Sequence, residues 1–306
     1  MKIIITGGSG MVGKNLIYFL NNNTNHQLLY PSSSELNLLN FSSVKCYIKK
    51  EKPDIIIHCA GLVGGIQSNI ELPYSFLSQN LIMGSNLIEG AVLNKVPKLI
   101  NLGSSCMYPK NLDKELEEKD ILTGELEPTN EGYAIAKIAV AKLCEFAKKE
   151  YNLEYKTIIP CNIYGKWDKF DPKNSHMIPA VIRKIHLSKI NNTVPDIWGG
   201  GSARREFMYA EDLADFINYC LINYNFLENY TNVGLGYDYS ILDYYNKIAS
   251  VVGYKGDFKF DLTKPEGMKQ KLCSITKQKK IGWKPKHSLK EGLTKTYEFY
   301  LDNYGI

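Results

Sequence analysis

No apolar run in this 306-residue chain approaches the length of a membrane span. The opening MKIIITGGSG is broken by glycine too soon to form the core of a secretory signal, so a cytoplasmic protein with no membrane partner is expected. CxxC pairs are lacking, and so is any cluster of cysteine with histidine. The seven cysteines (46, 59, 106, 144, 161, 220, 273) are odd in number and far apart, which argues against a disulfide framework and against a metal site. There is no basic tract either. The 37 basic and 32 acidic residues are scattered and leave a formal charge of +5, so no nucleic-acid partner is expected. The longest charged run, residues 113–120 (DKELEEKD), is mixed in sign and reads as a solvated face. Internal repeats and low-complexity segments are missing too.

What is there is an ordinary globular composition, 44% hydrophobic and 23% charged, in a chain long enough for one large core or two unequal ones. Residues 2–6 form a β-branched run ending at Gly7, and a helical pattern follows at once (Met11, Val12, Leu16, Ile17, Phe19, Leu20). The sequence predicts a second strand ending near 28–30 and further strands over 55–59, 99–102 and 157–159. Helices over 42–51, 74–94 and 133–151 separate the later ones. Such alternation implies an α/β fold, a doubly wound parallel sheet of the Rossmann type.

After Pro160 the rhythm changes to Gly/Asn/Pro-rich connections and aromatic-rich helices over 210–224 and 240–252. The reading is therefore a dinucleotide-binding domain over 1–160 and a smaller, mixed, mainly substrate-binding domain over 161–306. Two segments of the latter, 194–198 and 231–234, are candidates to return to the main sheet.

Gly7, Gly8, Ser9, Gly10, Met11, Val12 and Gly13 carry a G-x-x-G-x-x-G spacing between the first strand and the first helix. Glycines there let the backbone approach a pyrophosphate, and the helix N-terminus offers unpaired N–H groups. Behind the second strand stands PSSSE (31–35). An acidic residue at that strand end binds the 2′-hydroxyl of NAD, whereas polar donors suit the 2′-phosphate of NADP. The serines, Ser33 among them, lean towards NADP(H) and leave NAD(H) open.

Tyr133 and Lys137 stand four residues apart on one helix face, a spacing at which an ammonium can stabilise a phenolate. The strand over 99–102 ends in Gly103, Ser104 and Ser105, and strand carboxyl ends open onto the ligand crevice of a doubly wound sheet. A serine hydroxyl there can assist a tyrosine in protonating a carbonyl oxygen. This Ser, Tyr and Lys arrangement resembles the short-chain dehydrogenases. Residues 102–110 (LGSSCMYPK), 126–131 (LEPTNE), 133–138 (YAIAKI), 174–179 (NSHMIP) and 205–207 (REF) narrow the likeness to the GDP-fucose synthase family, 3,5-epimerase/4-reductases of GDP-4-keto-6-deoxymannose. The resemblance runs from Lys2 to about Tyr300.

The resemblance implies catalytic roles for Ser104, Tyr133 and Lys137 and an epimerisation pair on Cys106 and His176. It puts substrate contacts on Lys184, Trp198 and Arg205, and a nicotinamide-side loop on Pro160, Cys161, Asn162 and Ile163. Leu102, Gly103, Ser104, Lys137 and His176 complete the implied cofactor contacts, and a homodimer built from two long helices is implied as well. A C4 ketone acidifies C3 and C5, so a base on one face and an acid on the other can invert either centre before hydride arrives at C4. Cys106 and His176 suit such transfers if the thiol is activated.

Ser9, Ser33, Gly132, Cys161 and 166–169 (KWDK) depart from the family pattern, the last three around the expected sugar pocket. Three functions follow: a bifunctional epimerase/reductase on a GDP-4-keto-6-deoxy sugar; a reductase alone, acting on a GDP-4-keto-6-deoxy-heptose; and a dinucleotide-binding sensor without catalysis.

Overall fold

Isoleucines fill the first strands, and their alternation feeds two cores at once. Ile3, Ile5, Ile55 and Ile57 face one hydrophobic cluster, while Ile4 and Ile56 face another, as a pleat with both faces buried requires. The computed structural model describes residues 1–110, 112–171, 175–263 and 268–305. Asn174 of the NSHMIP motif lies outside them.

The element order begins β1 (Lys2–Thr6), α1 (Met11–Asn23), β2 (Gln27–Leu29), α2 (Phe41–Glu51), β3 (Ile55–His58), α3 (Ile66–Glu71), α4 (Pro73–Leu93), β4 (Lys98–Leu102), α5 (Glu131–Tyr151) and β5 (Glu154–Pro160). It continues with β6 (Asn162–Tyr164), α6 (Met177–Asn191), β7 (Asp196–Trp198), β8 (Arg204–Arg205), β9 (Phe207–Tyr209), α7 (Ala210–Ile222) and β10 (Tyr230–Val233). Last come β11 (Tyr239–Ser240), α8 (Ile241–Val252), β12 (Lys259–Asp261), β13 (Gln270–Lys271), α9 (Thr276–Lys280) and α10 (Leu289–Tyr304).

Six strands form one parallel sheet in the order β10-β5-β4-β3-β1-β2. Residues of α1 and α7 cover one face, and residues of α2, α4 and α5 cover the other. The winding reverses between β1 and β3, the kind of switch point where doubly wound sheets bind ligands. The expected parallel α/β architecture is therefore present, and most boundaries fall within a few residues of those read from the pattern.

The two candidate return segments part ways. Tyr230–Val233 joins the main sheet beside β5, with Tyr230 opposite Thr157. Asp196–Trp198 does not; it pairs with Lys259–Asp261 in a separate two-stranded sheet, where Ile197 meets Phe260. Strand β5 also starts earlier than its apolar run suggests, because Lys156 is buried and its ammonium donates to the Tyr224 carbonyl at 2.8 Å. The charged run 113–120 is not wholly solvated. Asp120 is buried and accepts from Lys114 Nζ at 2.7 Å, and Glu118 accepts the backbone N–H of Asn232 at 2.8 Å.

A third cluster, built on Phe170, Ile182, Ile185, Phe207, Tyr244, Ile248 and Leu293, forms the core beneath α6, α8 and α10. Among the described residues no helix is long and apolar enough to cross a membrane.

Candidate active site

The glycine turn sits at the β1/β3 switch point. Gly7 has φ +73°, and a Cβ on it would lie 2.6 Å from the backbone N and Cα of Ala60, so only glycine lets the two strand ends approach. A Cβ on Gly13 would strike the Gly7 carbonyl oxygen, which brings the first turn of α1 directly over the loop. Gly10 caps α1 without a side-chain hydrogen bond, and the first turn carries no acidic residue. The helix N-terminus keeps its positive end for an anion. These features fit a pyrophosphate. Beneath the turn, burial pushes His58 down to about 3, and its neutral ring meets Thr6 Oγ1 at 2.8 Å.

Ser9 and Ser33 are exposed. The Glu35 carboxylate is engaged by Ser32, whose N–H and hydroxyl both donate to it at 2.8 Å. Its acidity is strengthened by those bonds.

Ser104 stands two residues past the end of β4 and caps the short turn Ser105–Met107, its Oγ accepting the Cys106 N–H at 3.3 Å. Lys137 reaches across from α5 and donates to the Leu102 carbonyl at 2.9 Å. Tyr133, one turn earlier, places its ring centroid 5.7 Å from that ammonium and packs edge-on against Phe76. Ser104, Cys106, Tyr133 and Lys137 thus gather at the carboxyl end of β4.

The electrostatics differ from the sequence expectation. Lys137 does not draw the Tyr133 phenol down; burial, with the nearby Cys106 sulfur adding, holds it above its ordinary value. Burial likewise lowers Lys137, against the opposing pull of Cys106 and Cys59. The Cys106 thiol is not activated outright. Burial raises it, while Lys271, a Ser104 hydrogen bond and Lys137 act in the other direction. Desolvation of the charged forms outweighs the pairwise attractions in this site.

Pro160 ends β5, and Cys161 follows with its N–H on the Val233 carbonyl at 2.9 Å. Asn162 opens β6 and donates to the Glu206 carbonyl at 2.9 Å, and Ile163 pairs with Met208. Gly103 N–H bonds Ile158 O at 2.8 Å, so the loops after β4 and β5 leave the sheet side by side. His176 caps α6 and stands 3.7 Å (Nδ1) from Asp168 Oδ1.

The implied substrate residues lie on the second half of the chain. Lys184 Nζ sits 5.9 Å from the Trp198 ring centroid and 3.0 Å from Asp196 Oδ1. Trp198 is exposed rather than core. Arg204 makes a salt bridge to Asp238 at 2.7 Å. Arg205 Nη1 donates to the carbonyls of Arg204 and Met268 at 2.7 and 2.6 Å.

Residues 3–236 match the NAD dependent epimerase/dehydratase family. The chain belongs to this family. Curated relatives align end to end. A GDP-L-colitose synthase of Yersinia pseudotuberculosis is 52% identical over 99% of this chain and 98% of its own length. A GDP-L-fucose synthase of Azorhizobium caulinodans is 45% identical over 98% and 96%. Among solved structures, a GDP-mannoheptose C4 reductase of Campylobacter jejuni with NADP bound superposes with a TM-score of 0.88, at 32% identity and 98% coverage of both chains.

Within this family frame, three further residues stand close to the site. Asn80 accepts the Leu62 N–H at 2.8 Å and clamps the loop after β3; it is buried, but α4 also carries Gln79 and Asn86, so the sequence does not single it out. Gly61 follows in that loop, where a Cβ would meet Asn80 Oδ1 at 3.1 Å and Lys137 Nζ at 3.8 Å. Lys271 of β13 pairs with Arg205, and its charge acts on Cys106. Nothing local in the sequence marks Lys271.

Proposed function

We propose that this chain is an NADPH-dependent C4-keto reductase of a GDP-4-keto-6-deoxy sugar that also epimerises C3 and C5, in the making of nucleotide sugars for surface glycans. The observation that carries the reading is the convergence of Ser104, Tyr133, Lys137 and Cys106 at the end of β4 beside the glycine turn. The names of the relatives support GDP as the nucleotide and a keto sugar as the reacting group.

In this reading residues 1–160 hold the cofactor, and residues 161–306 mainly hold the sugar nucleotide while returning Tyr230–Val233 to the sheet. Gly7 to Gly13 take the pyrophosphate, Ser33 the adenosine side, and Leu102, Gly103, Lys137, Pro160 to Ile163 and His176 the nicotinamide side. The engagement of Glu35 with Ser32 favours a 2′-phosphate over a bare ribose hydroxyl, hence NADPH over NADH. When bound, NADPH supplies the hydride for C4. Tyr133, kept protonated by burial, gives its proton to O4 while the Ser104 hydroxyl hydrogen-bonds the same oxygen. Lys137 binds the nicotinamide ribose and orients the tyrosine.

Cys106 and His176 exchange the C3 and C5 protons from opposite faces. Lys184, Trp198 and Arg205 hold the GDP moiety, with Arg205 as the fork for the diphosphate. A homodimer is part of the proposal, supported by Ile82 and Leu93 of α4 and Ile135 and Phe146 of α5, all exposed. The seven free thiols suit the cytoplasm.

A reductase-only reading draws support from the raised Cys106 thiol and from the heptose C4 reductase neighbour. One experiment separates the readings. GDP-4-keto-6-deoxy hexoses and heptoses are offered with NADPH or NADH, products are identified by NMR, and deuterium incorporation from D2O at C3 and C5 is followed without NADPH. Reduction with exchange supports the bifunctional enzyme, reduction without it the reductase alone, and no turnover the sensor.

A further inference from the structure

Resting on the epimerase role proposed for His176, we infer that Asp168 is its positioning residue, taking the Nδ1–H so that Nε2 carries the proton exchanged with the sugar. Asp168 is 4% exposed, and its Oδ1, which accepts the Lys169 N–H at 2.8 Å, lies 3.7 Å from His176 Nδ1. Each side of this pair carries a buried atom without a hydrogen-bond partner among the described residues, Asp168 Oδ2 and His176 Nδ1. A buried ring nitrogen left unpaired is costly, and a short hydrogen bond to the Asp168 carboxylate satisfies it. Catalytic hydrogen bonds commonly tighten from such a separation when substrate binds.

The orientation of the ring agrees. Nδ1 is buried although the His176 side chain as a whole is 40% exposed, so the opposite edge, with Nε2, is the accessible one. A carboxylate on one ring nitrogen fixes the tautomer that the other presents.

The loop that carries Asp168 is anchored on both sides. Trp167, at φ +63°, packs its ring 5.8 Å from Tyr18 and 5.9 Å from Phe299. Phe170 packs 5.0 Å from Tyr300 and 5.2 Å from Tyr304. Asn15 of α1 donates to the Lys166 carbonyl at 2.9 Å. Left-handed backbone at a bulky residue persists only where the surroundings impose it. These anchors hold the carboxylate at His176 and tie it to the helix that starts at the glycine turn. The departures at 166–169 thus build the support of His176.

The test follows deuterium incorporation at C3 and C5 of GDP-4-keto-6-deoxymannose, without NADPH, in the full chain. Asp168→Asn is expected to slow exchange by at least ~10-fold, short of the ~10²–10⁴ that a whole acid/base group contributes, and Asp168→Glu to recover part of it. In 15N-histidine spectra taken with the sugar nucleotide bound, a low-field Nδ1 proton, assigned by its loss in His176→Gln, should be present in the wild type and vanish in Asp168→Asn. Exchange at the wild-type rate in Asp168→Asn, with His176→Gln inactive, overturns the assignment to Asp168 alone. If His176→Gln still exchanges, or the wild type never does, the reading of His176 fails and takes the inference with it. Should Asp168→Asn not fold, the wild-type spectrum with the sugar nucleotide bound decides: no low-field Nδ1 proton overturns the role.

Discussion

The ammonium of Lys137 lies 2.9 Å from the carbonyl oxygen of Leu102, the last residue of β4. That bond joins the second turn of α5 to the strand end that also delivers Ser104 and Cys106. A buried lysine is disfavoured by desolvation, and the carbonyl offsets only part of the loss. Its position is explained by what it aligns: Tyr133 one helical turn away and the loop around Gly61 opposite.

Replacing Tyr133 with Phe should remove the proposed proton donor and leave the scaffold. The ring keeps its edge-on contact with Phe76, so the melting temperature should move little. NADPH oxidation with a GDP-4-keto-6-deoxy sugar is expected to fall by roughly 10²–10⁴. Exchange at C3 and C5 should survive, since the proposal gives it to Cys106 and His176; joint loss of both reactions would show that the phenol also serves epimerisation.

Gly13→Ala tests the fit of the glycine turn. The added methyl meets the Gly7 carbonyl oxygen and Gly8 Cα, both backbone, so α1 must move away from β1. NADPH binding, followed by fluorescence titration, should be lost or weakened at least ~10-fold, with destabilisation of about 1–3 kcal/mol from overpacking. Unchanged affinity would remove the pyrophosphate from this turn.

The parallel sheet, the glycine turn and the Ser104, Tyr133 and Lys137 cluster were legible because each rests on local pattern: alternation within a strand, glycine spacing, one helical turn. What stayed hidden depends on pairing between distant segments. Asp196–Trp198 is a three-residue strand whose partner is Lys259–Asp261, and no local signal separates that from a return to the main sheet. Lys271 reaches Cys106 only because β13 pairs with β8. Asp168 was visible as part of a departure, yet its relation to His176 comes from a loop fixed by rings on α1 and α10. Burial, which reversed the expected direction for Tyr133, is likewise a property of the assembled site.

Lys271→Met should separate charge from bulk beside Cys106. Lys271 is the largest of the influences that oppose the upward push of burial on the thiol. Its removal leaves Cys106 more firmly protonated at neutral pH, so exchange at C3 and C5 should slow by about 10-fold or more. Arginine at the same position keeps the charge and should restore part of the rate. The pH at which exchange reaches half its maximum should move upward in Lys271→Met; an unmoved profile would show that the lysine does not act on the thiol.

Glu206 gives the fold a pH dependence of its own. The side chain is fully buried, and burial raises its carboxyl to about 7 against three backbone N–H groups that favour the anion. Those donors are Leu235 and Gly236 on Oε1, at 2.6 and 2.8 Å, and Cys273 on Oε2 at 3.0 Å. A carboxyl whose folded value exceeds its unfolded one contributes most below the unfolded value and loses that contribution as pH rises through the folded value. Stability should therefore decline from about pH 4.5 to pH 7, by about 3 kcal/mol from this group. Glu206→Gln removes the titration but turns an NH2 towards at least one N–H donor, a mismatch that costs about 1–3 kcal/mol. Denaturant unfolding across this range should show the slope in the wild type and, in Glu206→Gln, a flat curve that starts below it at about pH 4.5. Parallel slopes in the two proteins would assign the pH dependence to other groups.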